Sequence, residues 1–242
     1  NIKIGSTTDA ETGGQPSTTA NGDDTNGGDD EDGVTIPMFF AGQSATIPVV
    51  VMNTTGSLAT LTTFIDWNKD GDFNDANEKV VTNVPTGTNG TVNVTVNVPA
   101  TAVINMDLGA RFRLSTDAAS QNPTGPATNG EVEDYIVSVK GLDYGDLPDT
   151  GTGTSTGNYQ TTSSDNGPNH IINPNIKLGS IIDNETNGQP TTTANGDDAG
   201  LTDDEDGVTF PSFTPGQPAN ITVNAMNMTG STATLYTFID WN

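Results

Sequence analysis

Val92, Val94, Val96 and Val98 alternate with Thr91, Asn93, Thr95 and Asn97. A period of two is the pattern of a strand with one face buried and one in water. Runs of similar β character recur at short spacing: Val34–Phe40, Ala45–Met52, Ala59–Trp67, Lys79–Val84, Thr91–Val98, Ala110–Ser115 and Val132–Val139. Gly- and Pro-rich clusters such as Pro85–Thr91 and Gln121–Gly130 separate them. Short strands punctuated by turns predict an all-β fold, an immunoglobulin-like antiparallel β-sandwich over residues 34–140. Thr, Asn, Asp and Gly dominate the polar positions, and all sit low on the helix scale, so helix is expected to be nearly absent.

The pattern then starts again. Residues 1–68 align without a gap on residues 175–242, with 46 of 68 positions identical. Self-similarity at a fixed offset of 174 predicts a tandem array. At that length each unit holds a whole domain and its connector, unlike short solenoid repeats that need neighbours to fold. The expected organisation is an acidic connector at 1–33, incomplete at its start, and a sandwich at 34–140. A second connector follows at 141–207, then the truncated start of a second sandwich at 208–242. The second connector carries Tyr144, Leu147, Ile171, Ile172, Ile176 and Leu178, too apolar for a plain spacer, so it is expected to be ordered. The 242 residues thus read as about 1.4 units of a longer chain.

Charge changes the picture from fold to chemistry. The chain holds 31 acidic and 7 basic side chains, a formal charge of −24, and no cysteine. Residues 1–174 alone carry 22 acids against 6 bases, a formal charge of −16. Such a chain repels itself when compact unless cations neutralise it. Nucleic acid is disfavoured as a partner, because phosphate binding needs Lys/Arg clusters. No run reaches the ~18–20 apolar residues of a membrane span, and the absence of cysteine removes disulfides and thiol metal sites.

The acids are not spread evenly. In Asp66-Trp-Asn-Lys-Asp-Gly-Asp-Phe-Asn-Asp-Ala-Asn-Glu78, Asp66, Asn68 and Asp70 fall where a calcium loop places its first three ligands. Gly71 follows at the sharp bend. Alternate residues of a tight turn aim oxygens inward, and calcium takes six to eight of them. Asp72, Asn74 and Asp75 offer further oxygens. Position 12 is Asn77, so the usual bidentate glutamate is displaced to Glu78, and a strand precedes the loop where an EF-hand has a helix. A second acidic cluster, Asp23, Asp24, Asp29, Asp30 and Asp32, recurs as Asp197, Asp198, Asp203, Asp204 and Asp206. These positions are further calcium candidates at the connector–domain junction, with partners from Gly130–Tyr135 or Asp143–Asp149.

Catalytic signals are weak. Gly153–Gly157 fits G-x-S-x-G but lies in a Gly/Ser/Thr tract without the strand–turn–helix setting that motif needs. His170, the single histidine, sits in a loop-like stretch. The chain is read as a non-enzyme.

Three segments together, Phe64–Val80, Ala110–Thr116 and Gly130–Val139, resemble the GEVED domain of large secreted bacterial proteins. The stretch from Asp143 to Val208 resembles the aspartate-rich module that often precedes it. The resemblance implies an extracellular β-sandwich and fixes no activity. The expected function is a structural segment of a tandem-repeat fibre or stalk on a bacterial surface, stiffened by calcium and contacting neighbouring copies of its own repeat. Alternatives are an adhesin for glycans or host proteins, and the accessory region of a secreted enzyme.

Overall fold

The computed structural model describes residues 1–8, 13–22, 31–196 and 204–242. The chain forms two compact units, Asn1–Lys140 and Gly141–Asn242. The described residues contain no α-helix.

The first unit has nine strands: β1 (Ile2–Ile4), β2 (Phe39–Phe40), β3 (Ser44–Asn53), β4 (Ala59–Ile65), β5 (Lys79–Val84), β6 (Thr88–Asn97), β7 (Leu108–Ser115), β8 (Glu131–Val137) and β9 (Val139–Lys140). One sheet runs β1-β3-β6 and a second runs β5-β4-β7-β8. All of these pairings are antiparallel. Inward residues of both sheets, among them Ile47, Val49, Val94, Leu61, Phe112 and Leu114, form one core. This is the two-sheet β-sandwich. Phe39 and Trp67 meet edge to face inside it, ring centroids 5.3 Å apart.

The strands lie close to where period two places them. The run Val34–Phe40 is the exception, keeping only β2 and a single bridge from Val34 to Val49. Pro37 sits in its middle and has no N–H to donate to a ladder. At Ser138 the last strand breaks, and β9 pairs in parallel with β2, Phe39 opposite Val139.

Residues 1–33, expected as connector, add an edge strand to the sandwich. β1 pairs with β3 as Ile2↔Asn53, Lys3↔Met52 and Ile4↔Val51, and Ile4 is fully buried in the core. The strand ends at Gly5, φ +65°, where a Cβ would lie 1.7 Å from Asp32 Oδ1. Only glycine fits that turn.

The second unit carries β10 (Leu142–Tyr144), β11 (Asn169–Ile171), β12 (Ile176–Leu178), β13 (Val208–Thr209), β14 (Thr222–Val223) and β15 (Ala225–Asn227). They pair as β10-β11, β12-β15 and β13-β14. Its irregular segments are held by side chains. Asn158, buried, accepts from the N–H groups of Thr150 and Gly151 at 2.7 and 3.1 Å, and Asp149 accepts from those of Thr161 and Thr162. The β12-β15 register, Ile176↔Asn227, Lys177↔Met226 and Leu178↔Ala225, is the β1-β3 register moved by 174 residues. The turn recurs too: Gly179 has φ +69°, and a Cβ there would meet Asp206 Oδ1 at 1.6 Å.

Candidate metal centre

The segment Asp66–Glu78 links β4 to β5, and the strand pairing of β4 and β5 holds both its ends. The Ile65 N–H donates to Glu78 O at 2.9 Å, and the Asp66 N–H to Gly109 O at 3.0 Å. Between these anchors the chain turns through positive φ at Lys69 (59°), Gly71 (92°) and Asn77 (70°). Each short acidic side chain then accepts from the backbone a few residues ahead, the usual Asx habit. Asp66 accepts from Asp70 N–H at 3.2 Å and Gly71 N–H at 3.0 Å. Asn68 accepts from Asp70 N–H at 3.1 Å, Asp70 from Asp72 N–H at 3.1 Å, and Asp72 from Asn74 N–H at 2.8 Å.

The result sorts the predicted ligands into two groups. Asp70, Asp72 and Asp75 each place a carboxylate oxygen within 4.8 Å of the others, all three exposed to solvent. Among the described residues theirs is the one such cluster. Asn68 stands beside it, its Nδ2 donating to Asp75 Oδ2 at 2.7 Å and Asp70 Oδ2 at 3.1 Å. Asp66 and Glu78 are buried and brace the loop from beneath. Glu78 accepts from Trp67 N–H at 3.0 Å and Asp75 N–H at 3.1 Å. Trp67 Nε1–H donates to Asn77 O at 3.0 Å, tying the far end of the loop to the core. Asn74 is exposed at the rim.

Electrostatics follow that division. The Asp72 N–H, then the Asn68 amide, hold the Asp70 carboxyl below the usual carboxylate range. Burial pushes Glu78 up against the two backbone N–H groups that favour its charge. A cavity of about 290 Å³ opens beside the loop, lined by residues that include Trp67, Asn68, Asp75 and Glu78.

Of the second set of candidates, Asp23, Asp24, Asp29, Asp30, Asp197, Asp198 and Asp203 lie outside the described residues. Asp32 accepts from Ser6 N–H at 2.8 Å and from the Ser6 hydroxyl, closing the turn after β1. Burial alone would raise Asp32, but the Ser6 and Thr7 hydrogen bonds outweigh it and the net shift is downward. Asp206 repeats the contact on Ser180 N–H at 2.9 Å. Asp204, half-buried, precedes a 3-10 turn at Glu205–Gly207.

Two buried carboxyls outside the predicted ligand set stand out. On β8, Glu131, Glu133 and Tyr135 share the inner face. Glu131 accepts from Ile4 N–H, and Tyr135 OH accepts from Val34 N–H at 3.3 Å while donating to Glu133 Oε2 at 3.0 Å. Glu133 has no exposed surface, and burial pushes its carboxyl up to about 8. In the second unit Glu185, 5% exposed, accepts from Tyr144 N–H at 2.7 Å. Burial first, then the neighbouring Asp183 carboxyl, raise it. The motif Gly130–Tyr135 flagged the first of these in the sequence; nothing in the sequence flagged Glu185.

A two-sheet β module with an acidic turn between adjacent strands is thus defined. The model of the GEVED domain family matches residues 60–138, from β4 through β8. No curated protein and no solved structure matches the chain.

Proposed function

We propose that the chain is a structural segment of a long extracellular tandem-repeat fibre or stalk, stiffened by calcium, and that it is not an enzyme. The observation that carries the metal reading is the convergence of Asp70, Asp72 and Asp75 within 4.8 Å. Three carboxylates that close repel one another, and a hard divalent cation with oxygen ligands removes that repulsion. Asp66 and Glu78 retain lone pairs while accepting backbone N–H bonds, so bracing the loop does not exhaust them. Turning the Asn68 amide over would bring its oxygen to the same point.

The array reading is supported by the β1-β3 register, which returns 174 residues later with the same Ser–Asp neck. Neighbouring repeats are the partners, and calcium at the acidic segments offsets a formal charge of −24. The test is thermal unfolding with calcium and after chelation, beside Asp70→Asn. Calcium should raise the melting temperature of the parent chain and act less on the variant. Equal melting temperatures with calcium and with chelator would refute the reading.

A further inference from the structure

We infer that β6 is an interaction surface and that its occupant is a second copy of this chain, the two copies pairing edge to edge as antiparallel strands. The pairing is lateral and uses none of the acidic loop, so it goes beyond the calcium-stiffened fibre proposed above.

The starting point is how the two sheets end. Their edge strands are β1 and β6 in one, β5 and β8 in the other. An unpaired edge is a template for another strand, and proteins guard it with charge, proline or shortness. β1 is three residues long and carries Lys3, β5 carries Lys79, and β8 carries Glu131, Glu133 and Asp134. β6 has ten residues and none of these guards. No charged side chain occurs between Lys79 and Asp107, in a chain of formal charge −24.

The register shows which atoms that edge offers. On β3 the backbone of Pro48 and Val50 faces away from β6. Thr35 N–H donates to Pro48 O at 2.9 Å, Val50 N–H to Gly33 O at 2.8 Å, and Gly5 N–H to Val50 O at 2.8 Å. Successive residues of a strand turn their N–H and C=O to opposite edges. Ile47, Val49 and Val51 therefore bond across to Val94, Val92 and Gly90, the residues opposite them. That leaves the N–H and C=O groups of Asn89, Thr91, Asn93, Thr95 and Asn97 aimed at the open side, and all five residues are exposed. Among the described residues no strand pairs with them there.

The sequence of the edge is self-complementary. Asn89, Thr91, Asn93, Thr95 and Asn97 read the same in both directions about Asn93. A two-fold axis at Asn93 sets the partner's Asn93 opposite Asn93, the partner's Thr95 opposite Thr91 and the partner's Asn97 opposite Asn89. Thr meets Thr and Asn meets Asn, pairs that can bond side chain to side chain. A contact of this isologous kind closes after two copies. Charge selects the occupant as well as the edge. Two chains this acidic repel one another over most of their surface, and β6 is the one sheet edge that brings no charge of its own to the contact. The product is a single six-stranded sheet, in which β1-β3-β6 of one copy continues into β6-β3-β1 of the other.

The test is sedimentation velocity on the parent 242-residue chain over a concentration series, in chelator so that calcium bridging plays no part. The parent should pass from one copy to two as concentration rises. Asn93→Lys sets two like charges face to face on the axis and should weaken the dimer at least ~10-fold, although it makes the chain less acidic overall. Asn83→Lys puts the same charge on an exposed position of β5 and should leave dimerisation within ~2-fold of the parent. Asn93→Asp should also dissociate the dimer, and an equimolar mixture of the Asn93→Lys and Asn93→Asp chains should restore it, because Lys then faces Asp. A parent chain that stays a single copy throughout overturns the inference. So does a dimer that Asn93→Lys leaves intact, or a mixture of the two variants that fails to pair. None of these outcomes bears on the acidic loop, whose test is the response to calcium.

Discussion

Replacing Ile4 by alanine tests whether the three-residue strand before the acidic segment belongs to the sandwich. Ile4 is fully buried, pairs with Val51 and lies in the same core as Phe112 and Leu114. Truncation removes three carbons, worth ~0.8 kcal/mol for each buried methylene, or ~2.4 kcal/mol in transfer free energy. The vacated space adds a cavity term, bringing the loss to ~3–4 kcal/mol, inside the usual ~2–5 kcal/mol for such changes. Lys3, on the opposite face and half-buried, is the control, and Lys3→Ala should cost under ~0.5 kcal/mol. The assay is urea unfolding followed by Trp67, buried in the same core, in a Trp241→Phe background. Trp241 is 70% exposed, so that background is mild. The melting temperature of the first unit should fall by ~10 °C or more. If Ile4→Ala stays within ~0.5 kcal/mol of its parent, β1 is not part of the cooperative unit and the argument fails.

The two arginines of β7 should behave differently. Arg111 and Asp134 form a forked pair at 2.6 and 2.8 Å, but both are about a third exposed, so Arg111→Ala should cost under ~1 kcal/mol. Arg113 is 5% exposed and donates to three backbone carbonyls between 122 and 125, so Arg113→Ala should cost ~3 kcal/mol and loosen that loop in hydrogen exchange. Stability of the second unit in chelator should fall as pH rises above the ordinary glutamate value of 4.5. The raised Glu185 keeps a proton in the folded state that the unfolded chain has released, so the folded state binds more protons across that window. Glu185→Gln should flatten the slope in a pH series of urea melts; an unchanged slope would assign it elsewhere.

Strands with alternating valines, such as β6, were plain in the sequence because one face meets the core and the other water. β1 was not, because three residues cannot establish a period and the acids that follow suggest a solvated spacer. The parity of β8 was hidden for a different reason. Hydrophobicity alone would turn Val132 and Ile136 inward, yet they are 47% and 36% exposed, while Glu133 is buried. What reverses the strand is a demand for hydrogen-bond acceptors. The backbone N–H groups of Ile4 and Val34 come down on β8, and only its polar residues can meet them. In the acidic loop the ligand spacing was legible. The division between Asp70, Asp72 and Asp75 above and Asp66 and Glu78 beneath was not, since it depends on how β4 and β5 fix the loop's ends.

The Ser6–Asp32 contact has a consequence for how this chain can vary. It joins two residues 26 positions apart, and the contact recurs between Ser180 and Asp206. Closing a flexible loop costs free energy that rises only with the logarithm of its length, ~0.6 kcal/mol for each doubling. Between the two ends of the neck, Thr25–Gly28 stands where the second copy has Ala199–Thr202, while the acids on either side of it recur. The neck itself is not free, because Gly5, Ser6, Asp32 and Gly33 fit against one another with no room for an added Cβ. Such a chain can exchange the residues between its paired acids from copy to copy while the neck keeps the entry to the sandwich unchanged.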